Sequence, residues 1–246
     1  MLWVWLFWAI GLTIATAVGA ILVRRSRDSY GLPAIMSMYI AYTVSANVLA
    51  PRVSEFNIIV PMLLSGGTIT FPFVAQLIDM INEIYGRRSA YVAILLAFTA
   101  NVMLSMFILM LSTVSPAPWL ADMEEDWRFF FLQTPRIVIA SYVAFLVAEL
   151  VDATMFAEIK KRLYKGEVTT GRVITGAISR SVTSDLVNMA VDSLVFFPLA
   201  FYGVVPNDVL IWMIVYGTYT KVLLSVLDTP WFIAFRLLTR GVKREF

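Results

Sequence analysis

The 246-residue sequence contains no cysteine and no histidine. Without cysteine there can be no disulfide, no thiolate nucleophile and no sulfur-bound metal or cluster. Without histidine the commonest metal ligand and the imidazole proton shuttle are gone as well. Proton or ion handling is left to carboxylates, lysine, tyrosine and amides. Charge is also scarce: 15% of residues are charged, against about a quarter in soluble domains.

What the chain has in abundance is apolar length. Hydrophobic residues make up 60% of it and the mean hydropathy is +0.80. Runs long enough to cross a bilayer recur from end to end, at about 2–23, 31–50, 57–84, 89–113, 134–158, 173–203 and 208–237. The expected fold is an all-α polytopic membrane protein, a compact bundle of about seven transmembrane helices forming one domain over 1–246. The first run has no basic leader and no small-residue cleavage site, and "RRSR" follows it. It is therefore read as a retained helix in front of a core at about 31–237.

Basic residues set the orientation. Of the 19 Lys and Arg, 14 fall after spans one, three, five and seven. Only Arg52, Arg128 and Arg136 fall on the opposite side, and Arg180 and Lys221 lie inside spans. The expectation is a cell-membrane protein with its N-terminus outside and its C-terminus in the cytoplasm. The loop "SPAPWLADMEEDWRFFFLQTP" (115–135) is acidic and aromatic and suits a short helix at the outer interface.

Seven acids stand in or near spans: Asp79, Glu83, Glu149, Asp152, Asp185, Asp192 and Asp228. Only Arg180 and Lys221 oppose them there, a formal imbalance of about −5 that a low dielectric resists. Such groups ordinarily face a protein interior and mark function. Some must be protonated, hydrogen-bonded or paired with a cation from outside. The spacing gathers them on faces: Gln76, Asp79 and Glu83 at i, i+3 and i+7, Glu149 and Asp152 at i and i+3, and Asp185, Asn188 and Asp192 at i, i+3 and i+7. "SGGTITFP" (65–72) is expected to break the third helix near Gly66-Gly67, as in many transporter sites. A close helix contact at the two glycines is the alternative.

Five stretches, "SANVLA" (45–50), "GGTITFPFVAQLIDMINEIYG" (66–86), "IASYVAFLVAELVDATMF" (139–156), "SRSVTSDLVNMAVDSLVFFPLAFYG" (179–203) and "YTKVLLSVLDTP" (219–230), resemble the VUT (YhhQ-type) family of queuosine/archaeosine precursor transporters. Glu149 stands where that family often has Gln, and Asp185 and Asn188 where a Ser-Gln pair is more typical. The resemblance implies uptake of 7-cyano- or 7-aminomethyl-7-deazaguanine. It also implies a six-helix core similar to the vitamin-binding subunits of energy-coupling-factor transporters, with 2–23 as an extra helix. On this reading Asp79, Glu149, Asp152, Asn188 and Asp192 hold the base edge, with Phe71 and Tyr142 near it for stacking. Arg180, Asp185, Lys221 and Glu83 serve charge balance or coupling. A carboxylate suits the N1–H and exocyclic NH₂ of a guanine-like edge. The expected partners are that small molecule, the lipid bilayer and, as an open question, a second copy of the chain. No cofactor, metal or nucleic acid is expected.

Three other classes remain in view. A vitamin-type binding subunit would need an ATP-driven partner. A retinal-binding seven-helix protein would use Lys221 as its Schiff base, yet the flanking aromatic and acidic patterns are missing. An intramembrane aspartyl protease would need Gly-x-Gly-Asp, which the chain lacks.

Overall fold

The computed structural model describes the backbone of residues 2–57, 61–163 and 170–243, and their side chains except at 2, 57, 149, 152–163 and 170–185. Helices account for nearly all of it: α1 (Leu2–Arg25), α2 (Leu32–Leu49), α3 (Gly66–Leu111), α4 (Glu124–Phe131), α5 (Gln133–Leu163), α6 (Thr170–Phe201) and α7 (Asn207–Leu238). Among the described residues, five helical segments are long and apolar enough to cross a membrane.

The 46-residue α3 is two helices in one, because Gly86 leaves the helical region at φ 74, ψ 173. It separates a first arm, residues 66–85, from a second, residues 87–111. At 1.5 Å per residue each arm is about 30 Å long or more, enough for the hydrocarbon layer. The second arm reverses the pattern of a soluble helix. Ala93, Ala97, Asn101, Ser105 and Ile108 are buried, while Tyr91, Leu95, Met106, Phe107 and Met110 are exposed. Small residues turned inward and bulky apolar ones outward are what close packing within lipid requires.

Two expectations for the third span need correction. Residues 53–57 and 61–65 are not helical: β1 (Val53–Asn57) and β2 (Pro61–Ser65) pair antiparallel, with Val53 opposite Ser65 and Asn57 opposite Pro61. Gly66-Gly67 does not break a helix but starts one. The Ser65 side chain caps it by accepting from the Gly67 N–H at 3.2 Å. A Cβ on Gly66 would lie 2.5 Å from the Leu49 carbonyl oxygen, and one on Gly67 3.0 Å from that of Ala46. The glycines are there because the end of α2 passes against them. Pro72 lies inside the helix, in its second turn, where it removes the backbone bond to the Thr68 carbonyl without ending the helix.

The chain divides into two units, residues 1–138 with 223–246, and residues 139–222. In the first, Ala20 and Val23 of α1, Ile35 and Tyr39 of α2, Leu77, Met80, Ile81 and Ile84 of α3, and Phe235 of α7 share one buried cluster. Asn47 of α2 donates to Asn101 Oδ1 of α3 at 2.8 Å, and Asn101 in turn donates to the Ala97 carbonyl at 2.8 Å. Replacing Asn101 by Leu strands the Asn47 amide and is expected to cost about 1–3 kcal/mol. The Asn47→Leu, Asn101→Leu double variant should recover most of that in thermal unfolding of the purified chain. An equal loss in both would show that the pair is not what holds α2 to α3.

The loop after α3 carries a six-residue turn of 3₁₀-helix, Pro118–Met123, and then α4. The short helix expected there is present. Arg128 ties α4 back to the end of α3 by donating to the Ser112 carbonyl at 2.9 Å.

Candidate functional site

In the unit of residues 139–222, α6 and the first half of α7 run antiparallel, joined by a tight connection at 202–206. Gly203 takes φ 77 in that connection. Asp192 of α6 and Lys221 of α7 meet in an ion pair, Lys221 Nζ donating to Asp192 Oδ2. The Lys221 side chain is 7% exposed and that of Asp192 24%. The ammonium also stands 5.8 Å from the ring centroids of both Phe196 and Phe197. A carboxylate and two aromatic rings are favourable partners for a desolvated ammonium. Phe197 is fully buried. Gly217 makes room for it, since a Cβ there would collide with the Phe197 ring. Asn188 lies one turn before Asp192 on α6 and is half-buried, and Tyr142 of α5 is likewise half-buried.

The other unit holds Phe71, Asp79 and Glu83 on the first arm of α3. Spacing places Gln76, Asp79 and Glu83 on one face, but these groups take different partners. Gln76 is buried and donates to Thr16 of α1 at 2.6 Å. Glu83 pairs with Arg236 of α7, Nε to Oε1 at 3.0 Å. Asp79 is exposed and interacts electrostatically with Asp228 of α7. Phe71 is half-buried. A neighbouring aromatic group, Trp8 against Phe73 and Trp231 at 6.4 and 5.6 Å between ring centres, packs α1 onto α3 and α7.

The side chains of Glu149, Asp152, Arg180 and Asp185 lie outside the described residues. Among the described residues no group of three or more acidic side chains is assembled as a metal site would be. Two polar residues that the sequence reading passed over, Ser193 and Thr220, are fully buried, next in sequence to the ion pair, with no hydrogen-bond partner for their hydroxyls. The signal for them was only adjacency, Ser193 following Asp192 and Thr220 preceding Lys221.

Long apolar helices that face their bulky residues outward, with an ammonium–carboxylate pair enclosed between two of them, define a multi-pass membrane protein with a polar interior. Residues 65–235 match the family described as "Putative vitamin uptake transporter". The chain belongs to that family, and it is a transporter rather than an enzyme. It is 23% identical over 206 residues to a Bacillus subtilis (strain 168) protein named "Probable queuosine precursor transporter", covering 82% of this chain and 83% of that one. A Haemophilus influenzae protein of the same name is 26% identical over 136 residues, covering 55% of this chain and 51% of its own. No solved structure matches the chain. A Lys beside a carboxylate and aromatic rings is also the setting of a retinal Schiff base, and membership of this family decides against that reading.

Proposed function

We propose that the chain imports a queuosine precursor of the 7-deazaguanine type, 7-cyano- or 7-aminomethyl-7-deazaguanine, with its base edge held by intramembrane carboxylates. The names carried by the two relatives supply the substrate class. The observation that carries the residue assignment is the Asp192–Lys221 pair beside Phe196. Lys221 takes Asp192 Oδ2, and Oδ1 is the acceptor assigned to the N1–H or exocyclic NH₂ of the base. Phe196 offers a face on which a flat heterocycle can stack. Glu149, Asp152 and Asn188 are assigned to the same edge from their places on α5 and α6, and Asp79, Phe71 and Tyr142 remain proposed contacts. Arg180, Asp185 and Glu83 are assigned to charge balance or coupling. The distribution of Lys and Arg supports an N-terminus outside and a C-terminus in the cytoplasm.

The test is uptake of labelled 7-cyano- and 7-aminomethyl-7-deazaguanine by cells without a route of their own. Asp152→Asn and Asp192→Asn are compared at matched amounts of folded protein. Loss of a hydrogen bond to a charged group predicts uptake affinity about 10- to 100-fold weaker in each. Full uptake by both variants would rule out the carboxylate assignment, and absence of uptake by the wild type would rule out the substrate.

A further inference from the structure

On an α-helix, a serine or threonine hydroxyl always has an acceptor at hand, the carbonyl four residues earlier. This chain uses it repeatedly. Thr13, Ser37, Thr43, Ser45, Thr99 and Ser105 bond back to Ala9, Pro33, Tyr39, Ala41, Leu95 and Asn101 at 2.7–2.9 Å. Thr218 of α7 does the same with Ile214 at 2.9 Å. Thr220, two residues further along the same helix, does not, and neither does Ser193 of α6. Both are 0% exposed.

Their positions are related. The antiparallel register that pairs Asp192 with Lys221, and that brings Phe197 against Gly217, sets Ser193 level with Thr220. Two buried hydroxyls that decline the bond their own helices offer thus lie at one level of the α6–α7 hairpin, each one residue along the chain from a member of the ion pair. A hydroxyl held in this way is desolvated without compensation, unless its partner is a molecule that comes and goes. A metal cation is a poor candidate, because the Lys221 ammonium already occupies the carboxylate. A neutral ring edge carrying both donors and acceptors is a good one, since a hydroxyl can play either part.

We propose that Ser193 and Thr220 are substrate contacts. They complete, with Asp192 and Phe196, a site for a planar heterocycle whose edge mixes donors and acceptors, and they set its specificity through the heteroatoms that the carboxylate does not reach. The assignment rests on the transport reading above.

A structural role and a binding role move two measurements in opposite ways. Removing a hydroxyl without a partner leaves the unliganded chain as stable as before or more stable, whereas removing a structural one destabilises it. The experiment uses the purified full chain in detergent, as wild type, Ser193→Ala, Thr220→Val and Thr220→Ser. It measures binding of 7-cyano-7-deazaguanine and, without ligand, the thermal midpoint. The expected result is binding about 3- to 10-fold weaker for Ser193→Ala and for Thr220→Val. Binding by Thr220→Ser stays near wild type, and no unliganded midpoint falls. Wild-type affinity in both hydroxyl-free variants overturns the inference while leaving the transport reading intact. So does a lowered unliganded midpoint in both of them. A wild-type chain that does not bind the probe overturns the transport reading and this inference with it.

Discussion

Lys221→Met is expected to destabilise the chain by about 3–5 kcal/mol, the usual consequence of leaving one member of a buried ion pair alone. The side chain that loses its partner is Asp192, which is 24% exposed and bonds to Lys221 through Oδ2. Adding Asp192→Asn to the same chain removes the stranded charge, and the double variant should recover to within about 1 kcal/mol of wild type. Thermal unfolding of the purified proteins measures all three. A Lys221→Met protein as stable as wild type would mean that water reaches Asp192 and that the pair is not desolvated. The same series separates folding from transport, because the stable double variant should still fail to take up substrate.

Gly86→Ala should be nearly as damaging for a different reason. At φ 74, ψ 173 the backbone is in a region essentially closed to residues with a Cβ, and forcing one in costs about 1–3 kcal/mol. Gly86 is buried between two membrane-length arms, so relaxing the turn would displace one arm relative to the other. Gly203 gives the comparison. Its φ is 77, and a Cβ there would meet nothing within 4 Å, so Gly203→Asn meets backbone strain alone, which asparagine tolerates better than most residues, and should be milder. Folded yield and unfolding midpoint in detergent check the contrast, and equal effects at the two positions would refute it.

Most of the helical plan was legible because membrane-length apolar runs have few alternatives in lipid. The strand pair at 53–57 and 61–65 was not. "PMLLS" is a short apolar run, and periodicity cannot tell a buried strand from a piece of helix. The two glycines after it carried both readings, a loosened helix and a close approach. Only the position of the Leu49 and Ala46 carbonyls chose between them. The polar face of α3 was visible as spacing, but its partners were not. Gln76 turns to α1 and Glu83 to α7, and neither helix is identifiable from i, i+3 and i+7. With seven acids and two cations in or near the spans, the sequence likewise leaves many pairings open, and the fold brings together Asp192 and Lys221. The hydroxyls of Ser193 and Thr220 had no pattern at all, since what distinguishes them is a bond that they do not make.

The packing of α1 bears on how the chain is assembled. Trp231 of α7 donates its indole N–H to Thr13 of α1 at 2.9 Å, and Trp8 of α1 lies against Leu224 in the same buried cluster. The hydrogen bond spans 218 residues. During synthesis α1 therefore enters the bilayer long before α7 exists, and its Thr13, Trp8 and Gly11 surface must wait there against lipid or a chaperone. Closing so distant a contact comes late and slowly. Mutations along this seam should show themselves first in the yield of inserted protein, before any change in the finished molecule.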